Sequence, residues 1–154
     1  MYPLAHITFT LLAGRRLGLS PALLALGVLL PDLVDKFLVI FFSIGGGRFI
    51  AHTLTFAGVA GLTLALHSRR AGASIAFGIT AHLIEDAYSF VPWFYPLLDY
   101  NFPVVESYSI FDHYLGFLGI GTDVIGMLIF IAAYRQEIPP FNQEYLRRLG
   151  FRRF

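Results

Sequence analysis

Long apolar runs alternate along the chain with short polar or glycine-rich breaks, and this pattern predicts helices from end to end. Pro3 to Ala13 is apolar with His6 inside it, and Gly14-Arg15-Arg16 closes it. Crossing the hydrocarbon layer of a membrane takes about 20 residues, so this piece reads as a half-helix or a tilted, re-entrant segment. Ser20-Pro21 opens the second helix, with Ser as N-cap and Pro at the first helical position. It runs to Ile44, where Gly45-Gly46-Gly47 stops it, and Pro31 within it predicts a kink because proline removes a backbone bond. The third helix is expected over Phe49 to Leu66, with His52-Thr53 near its start and Gly58 and Gly61 as small packing positions. His67-Ser68-Arg69-Arg70 ends it, and the fourth spans Ala71 to about Tyr88. Ser89 to Ser107 holds Pro92, Pro96 and Pro103 among Trp93, Phe94, Tyr95 and Tyr100, a mixture suited to a lipid headgroup interface. Ser109-Ile110-Phe111-Asp112 resembles a capping box and opens the last helix, Asp112 to Tyr134. The tail, Arg135 to Phe154, is polar and basic and fits a surface amphipathic helix.

Composition sharpens this into a class. Hydrophobic residues make up 56% of the chain, above the roughly 45–50% of a soluble domain. Mean hydropathy is +0.68. The expectation is an all-α integral membrane helix bundle, with about four spans, a short N-terminal helix and a basic C-terminal tail. Residues 1–134 form the membrane-embedded, metal-binding helical domain and 135–154 the cytoplasmic tail. Arg15-Arg16, Arg69-Arg70 and the tail arginines fall on one side if successive helices form hairpins. The positive-inside rule makes that side cytoplasmic, which gives a multi-pass cell-membrane protein with a cytoplasmic C-terminus. The N-terminus lacks the basic n-region of a signal peptide. With no cysteine, disulfides, thiolate metal sites and cysteine nucleophiles are excluded. A net charge of +1 gives no support for nucleic-acid binding.

Against this apolar background, a few ionisable residues stand out. His82 and Asp86 are four apart and share a helix face, so both reach one cation. Asp32 and Asp35, three apart, share another face, and two carboxylates in a low dielectric repel unless a cation or proton lies between them. Counted from the cytoplasmic helix ends, Asp32, His82 and Asp123 lie roughly 15–18 Å deep and Asp35 and Asp86 roughly 21 Å. The polar groups thus converge towards the outer half of the membrane. With His6 and His52 they make three histidines and three aspartates, an N/O ligand set suited to Zn²⁺, or alternatively Mn²⁺, as one or two ions. The bland reading is a set of buried His–Asp pairs that fix helix packing. Lys36 and Arg48 either neutralise a phosphate or pair with the carboxylates. Glu85 points about 100° away from Asp86 and is a candidate general base acting through water. Asp123, between Gly121 and Gly126, reads as an outer partner or a packing residue. His67 belongs to the basic turn, and His113 is a minor ligand candidate.

Three stretches carry a resemblance. These are Leu29 to Lys36 with Pro31-Asp32-Leu33-Val34-Asp35, Gly47 to Leu54 with His52-Thr53, and Gly78 to Asp86 with His82-Leu83-Ile84-Glu85-Asp86. Together with His6 they resemble the membrane-bound metal-dependent hydrolases. The order His, Asp, His, His-x-x-x-Asp is also distantly similar to the zinc-dependent phospholipase C and single-strand nuclease superfamily. That resemblance implies that Asp32 or Asp35, His52 and His82 bind one metal, His6 binds another, and Asp86 bridges them. The implied activity is phosphoester hydrolysis by a metal-activated water on a lipid headgroup or related substrate. Asp35, Glu85, Arg48 and Lys36 are then the catalytic candidates, and the lipid bilayer is the partner. The rival readings are a small ion or proton transporter, which intramembrane carboxylates also fit, and a non-catalytic metal-binding scaffold.

Overall fold

A computed structural model describes residues 3–102 and 117–135, with side chains from 4–102 and 120–135. The described residues are all-helical, with no strand among them. The elements are α1 (Pro3–Arg15), α2 (Pro21–Phe42), a 3₁₀ turn (Gly45–Gly47), α3 (Leu54–Ala65), α4 (Arg69–Glu85) and α5 (Phe117–Tyr134). Residues 103–116, with the expected capping box and His113, and the basic tail from residue 136 on lie outside the described residues.

Local chemistry sets the boundaries. Pro21 occupies the first turn of α2, and the helix runs through the buried Pro31 to Phe42. It stops where Ser43 turns left-handed at φ 55°, and Gly45, Gly46 and Gly47 follow at φ 81°, 58° and 86°, a run that only glycine adopts freely. α3 begins at Leu54, later than the pattern predicted, because Thr53 is its N-cap and accepts from the Phe56 N–H at 2.9 Å. The stretch before it is non-helical because its amides bond to Asp35. Ser68 caps α4 by accepting from Ala71 at 3.3 Å. Ser20 makes no such cap. Its N–H instead donates to Ser74 on α4, at 2.9 Å.

α4 lies at the centre, packed on α1, α2 and α3, while α5 packs on α1. Two glycine crossings bring its backbone into contact with its neighbours. A Cβ on Gly78 would stand 2.7 Å from the Leu24 carbonyl of α2. One on Gly72 would stand 2.4 Å from the Gly61 carbonyl of α3. Ala57, Ile75, Ile79, Leu83 and Val91 form the apolar core around α4. On α5, Asp123 Oδ1 accepts the Ala5 N–H at 3.1 Å and so caps the start of α1 from outside. Thr8 of α1 donates to the Gly126 carbonyl at 3.0 Å.

The membrane expectation is overturned. No helix among the described residues is long and apolar enough to cross a membrane. α1, α3 and α4 have 13, 12 and 17 residues, short of the roughly 20 required. α2 has 22 but carries Asp32, Asp35 and Lys36. The multi-pass cell-membrane placement is corrected accordingly. With it go the cytoplasmic C-terminus, the outer-half site and the four-span bundle. Membrane depth cannot then bring the ionisable groups together, and another cause must do so. That cause is the packing of α1, α2 and the 48–53 loop around the end of α4.

Candidate metal centre

Asp35 organises one side of the site. It is fully buried, and its carboxylate accepts the backbone N–H groups of Phe49 (2.6 Å), Ala51 (3.0 Å) and His52 (3.1 Å). This is why residues 48–53 form a loop: their amides serve a carboxylate in place of a helix. The same Oδ2 lies 2.8 Å from His52 Nδ1, so the ring is held with Nε2 pointing away from Asp35. A carboxylate on the outer nitrogen of a histidine fixes its tautomer and raises its basicity as a ligand.

Around that Nε2 lie His82 Nε2 at 3.2 Å and Asp32 Oδ1 at 3.6 Å. Asp32 comes from α2, and Lys36, one turn on, holds its other oxygen at 2.6 Å. His82 Nε2 is 4.0 Å from Asp32 Oδ1 and 3.9 Å from Asp86 Oδ2, the latter its partner at i+4. Asp86 sits just past α4, at its C-cap.

α1 supplies the other side. The His6 ring stacks on His82 with centroids 4.5 Å apart, and its Nε2 lies 3.4 Å from Asp86 Oδ1. Its Nδ1 pairs with Glu85 Oε2, while Thr10, one turn along α1, donates to Glu85 Oε1 at 3.4 Å. Glu85 therefore stands to His6 as Asp35 stands to His52. Arg48 closes the rim, with Nη2 on Asp86 Oδ2 at 2.5 Å and Nη1 on Ser89 Oγ.

Two triads emerge, His6–His82–Asp86 and Asp32–His52–His82, each with one donor atom per residue and all three within 4.8 Å of one another. His6 Nε2 and His82 Nδ1 are buried and have no hydrogen-bond partner. An unpaired buried polar atom costs about 1–3 kcal/mol, and for His6 Nε2, which faces Asp86, a cation bound there would remove that cost. The all-nitrogen-and-oxygen donor set fits Zn²⁺ or Mn²⁺. The residues present therefore fit a divalent metal.

Burial and the opposing charges around it set the electrostatics of the cluster. Burial opposes charge on Asp32, yet His52 and Lys36 outweigh it and hold its carboxyl far below the usual range. Asp86 is likewise desolvated but held low by His6 and Arg48. Burial, with His6 and His52 beside it, pushes His82 down to about 3, so it is neutral and can donate a lone pair. For His6 and His52 burial is outweighed by the flanking carboxylates, and both are raised from 6.5.

Of the residues singled out from sequence, His6, Asp32, Lys36, Arg48, His52, His82, Glu85 and Asp86 come together. Asp35 joins them from behind, its oxygens engaged by backbone N–H groups and His52 Nδ1. Glu85 lies behind His6 in the same way, touching its outer nitrogen. Asp123 is remote, at the start of α1, and His67 lies in the exposed turn after α3. Two polar partners escaped the sequence reading. Thr10 is four residues after His6, and Ser89 is three after Asp86. Helical spacing from His6 was the signal available for Thr10, whereas Ser89 lies in the turn after α4 and no local pattern marked it.

Comparisons of the chain with family models, with curated proteins and with solved structures returned no match.

Proposed function

We propose that the protein is a metal-dependent hydrolase that cleaves a phosphoester by means of a metal-activated water. The reading is carried by the pair of triads around His82 and the unpartnered His6 Nε2 beside Asp86. A divalent cation held there supplies Lewis acidity and lowers the pKa of its water to about 7. Asp32, His52 and His82 would hold one ion, and His6 and Asp86 a second. Asp35 and Glu85 orient His52 and His6 through their outer nitrogens and are positioning residues in this scheme. Lys36 and Arg48 lie on the outer oxygens of Asp32 and Asp86. From there their charges can meet the non-bridging oxygens of a phosphoryl group as negative charge develops. The order and spacing of the His and Asp motifs, which resemble the metal-dependent hydrolases, support the same reading.

A purely structural metal site would be closed by four protein ligands, whereas three leave a position for water or substrate. The triads favour the catalytic arrangement. The test is metal analysis of the purified protein together with turnover of a generic phosphodiester and a phosphomonoester, with and without chelator. One to two equivalents of zinc or manganese and chelator-sensitive cleavage are expected. Metal-replete protein that cleaves neither ester would overturn the reaction, and protein that takes up no metal would overturn the site.

A further inference from the structure

The two triads are unequal because both need His82. A neutral imidazole has one lone pair to give, so one ion takes it and leaves the other a ligand short. His82 Nε2 lies nearest His52 Nε2, at 3.2 Å, with Asp32 Oδ1 at 4.0 Å and Asp86 Oδ2 at 3.9 Å, so an ion shared with His52 takes its lone pair. That triad stays complete. The remaining position keeps His6 Nε2 and Asp86 Oδ1, 3.4 Å apart. Its carboxylate is already engaged: Arg48 sits on Asp86 Oδ2 at 2.5 Å and is tied back to Ser89.

We propose that Arg48 is a resident counter-ion that sets the affinity of this second metal position. The centre then loads two divalent ions in order, first at Asp32–His52–His82 and then, more weakly, at His6–Asp86. The inference rests on the proposed metal centre. Its physical basis is that an ion arriving on one oxygen of Asp86 meets the fixed guanidinium charge on the other; Lys36 stands on Asp32 in the same way, but there two histidines offset it. Like charges a few ångströms apart and shielded from bulk water repel strongly. Relief comes when Arg48 leaves Asp86 for an oxyanion of the substrate.

The experiment is isothermal titration of the full-length, chelator-stripped protein with zinc chloride, fold being checked by circular dichroism. Wild type is expected to show a tight phase and a weak one. His6→Ala should lose the weak phase and keep the tight one. Arg48→Gln, which removes the fixed positive charge beside the ion, should tighten the weak phase about tenfold and leave the tight phase unchanged. Arg48→Lys, which keeps the charge, should leave the weak phase weak. If Arg48→Gln fails to fold, Arg48→Met carries the same expectation. A weak phase that is unchanged or weaker in the neutral variants overturns the proposal, as does a single phase in wild type that His6→Ala does not alter. A wild type that binds no zinc removes the metal-centre reading itself.

Discussion

Asp35 and His52 form a closed unit in which one carboxylate oxygen lies 2.8 Å from the ring Nδ1 and 3.1 Å from the backbone nitrogen of the same histidine. The other oxygen takes the Ala51 N–H. Ring and main chain are thus anchored to one fully buried group, and His52 has no freedom to turn its Nε2 elsewhere.

That anchoring predicts a double loss in Asp35→Ala. Removing one partner of a buried, hydrogen-bonded charge pair costs about 3–5 kcal/mol, to be read by denaturant unfolding of metal-free protein. Asp35→Asn keeps the shape but offers only one acceptor oxygen, so it should fold while binding zinc about 10- to 100-fold more weakly. Wild-type zinc affinity in a folded Asp35→Asn variant would show that the pair does not orient the ligand.

The histidine shifts fix a pH dependence for the ion-free protein. His6 and His52 are raised from 6.5, burial being outweighed by the carboxylates beside them. The stability they lend is complete below that value and drains away as pH rises through their folded values. His82, pushed down to about 3, acts oppositely. Its contribution is present above about pH 6.5 and lost as pH falls towards 3. Asp32 and Asp86, held low, keep theirs until still more acid conditions. The Tm of chelated protein should therefore fall as pH is raised from about 6.5 into the alkaline range. Zinc, which must displace the His6 and His52 protons, should add more to Tm at the upper end. A chelated protein that gains stability across that interval would contradict the direction of the His6 and His52 shifts.

Asp123 predicts a separable effect. Its carboxylate receives the Ala5 N–H from the first turn of α1, and losing such a cap costs about 0.5–2 kcal/mol. Asp123→Ala should lower stability by that amount and loosen α1, the helix that carries His6. Zinc binding that needs His6 should weaken, while binding at Asp32, His52 and His82 stays intact. Equal weakening at both positions, measured by titration, would mean that α1 is not an independent carrier.

The sequence was most legible where chemistry is local. The Ser20-Pro21 start, the glycine stop at 45–47 and the i, i+4 pair His82–Asp86 all follow from neighbours in the chain. The loop at 48–53 was not legible, because its cause is Asp35, a residue 14 positions before Phe49 that takes up the loop's amides. Helical periodicity alone made Phe49 to Thr53 look like the start of α3. The division of labour between Asp32 and Asp35 was hidden for the same reason. The membrane expectation came from averaging hydropathy along the chain. In the fold, buried positions go to His6, Thr8, Thr10, Asp35, His52, Ser74, His82 and Asp86. Large apolar side chains such as Leu33, Phe37, Phe41 and Phe42 face outward instead. An average cannot register that distribution.

The bonds that build the Asp35 loop close over 14 to 17 residues, whereas His6 meets Glu85 across 79 and Ala5 meets Asp123 across 118. Short loops cost less entropy to close and do so sooner. During folding the α2–loop half, with Asp32, Lys36, Arg48 and His52, is thus set to form ahead of the half that waits for α1 to return from the far end of the chain. A chain still emerging from synthesis would hold the Asp32–His52 half of the candidate site before α5, which steadies α1, had been made.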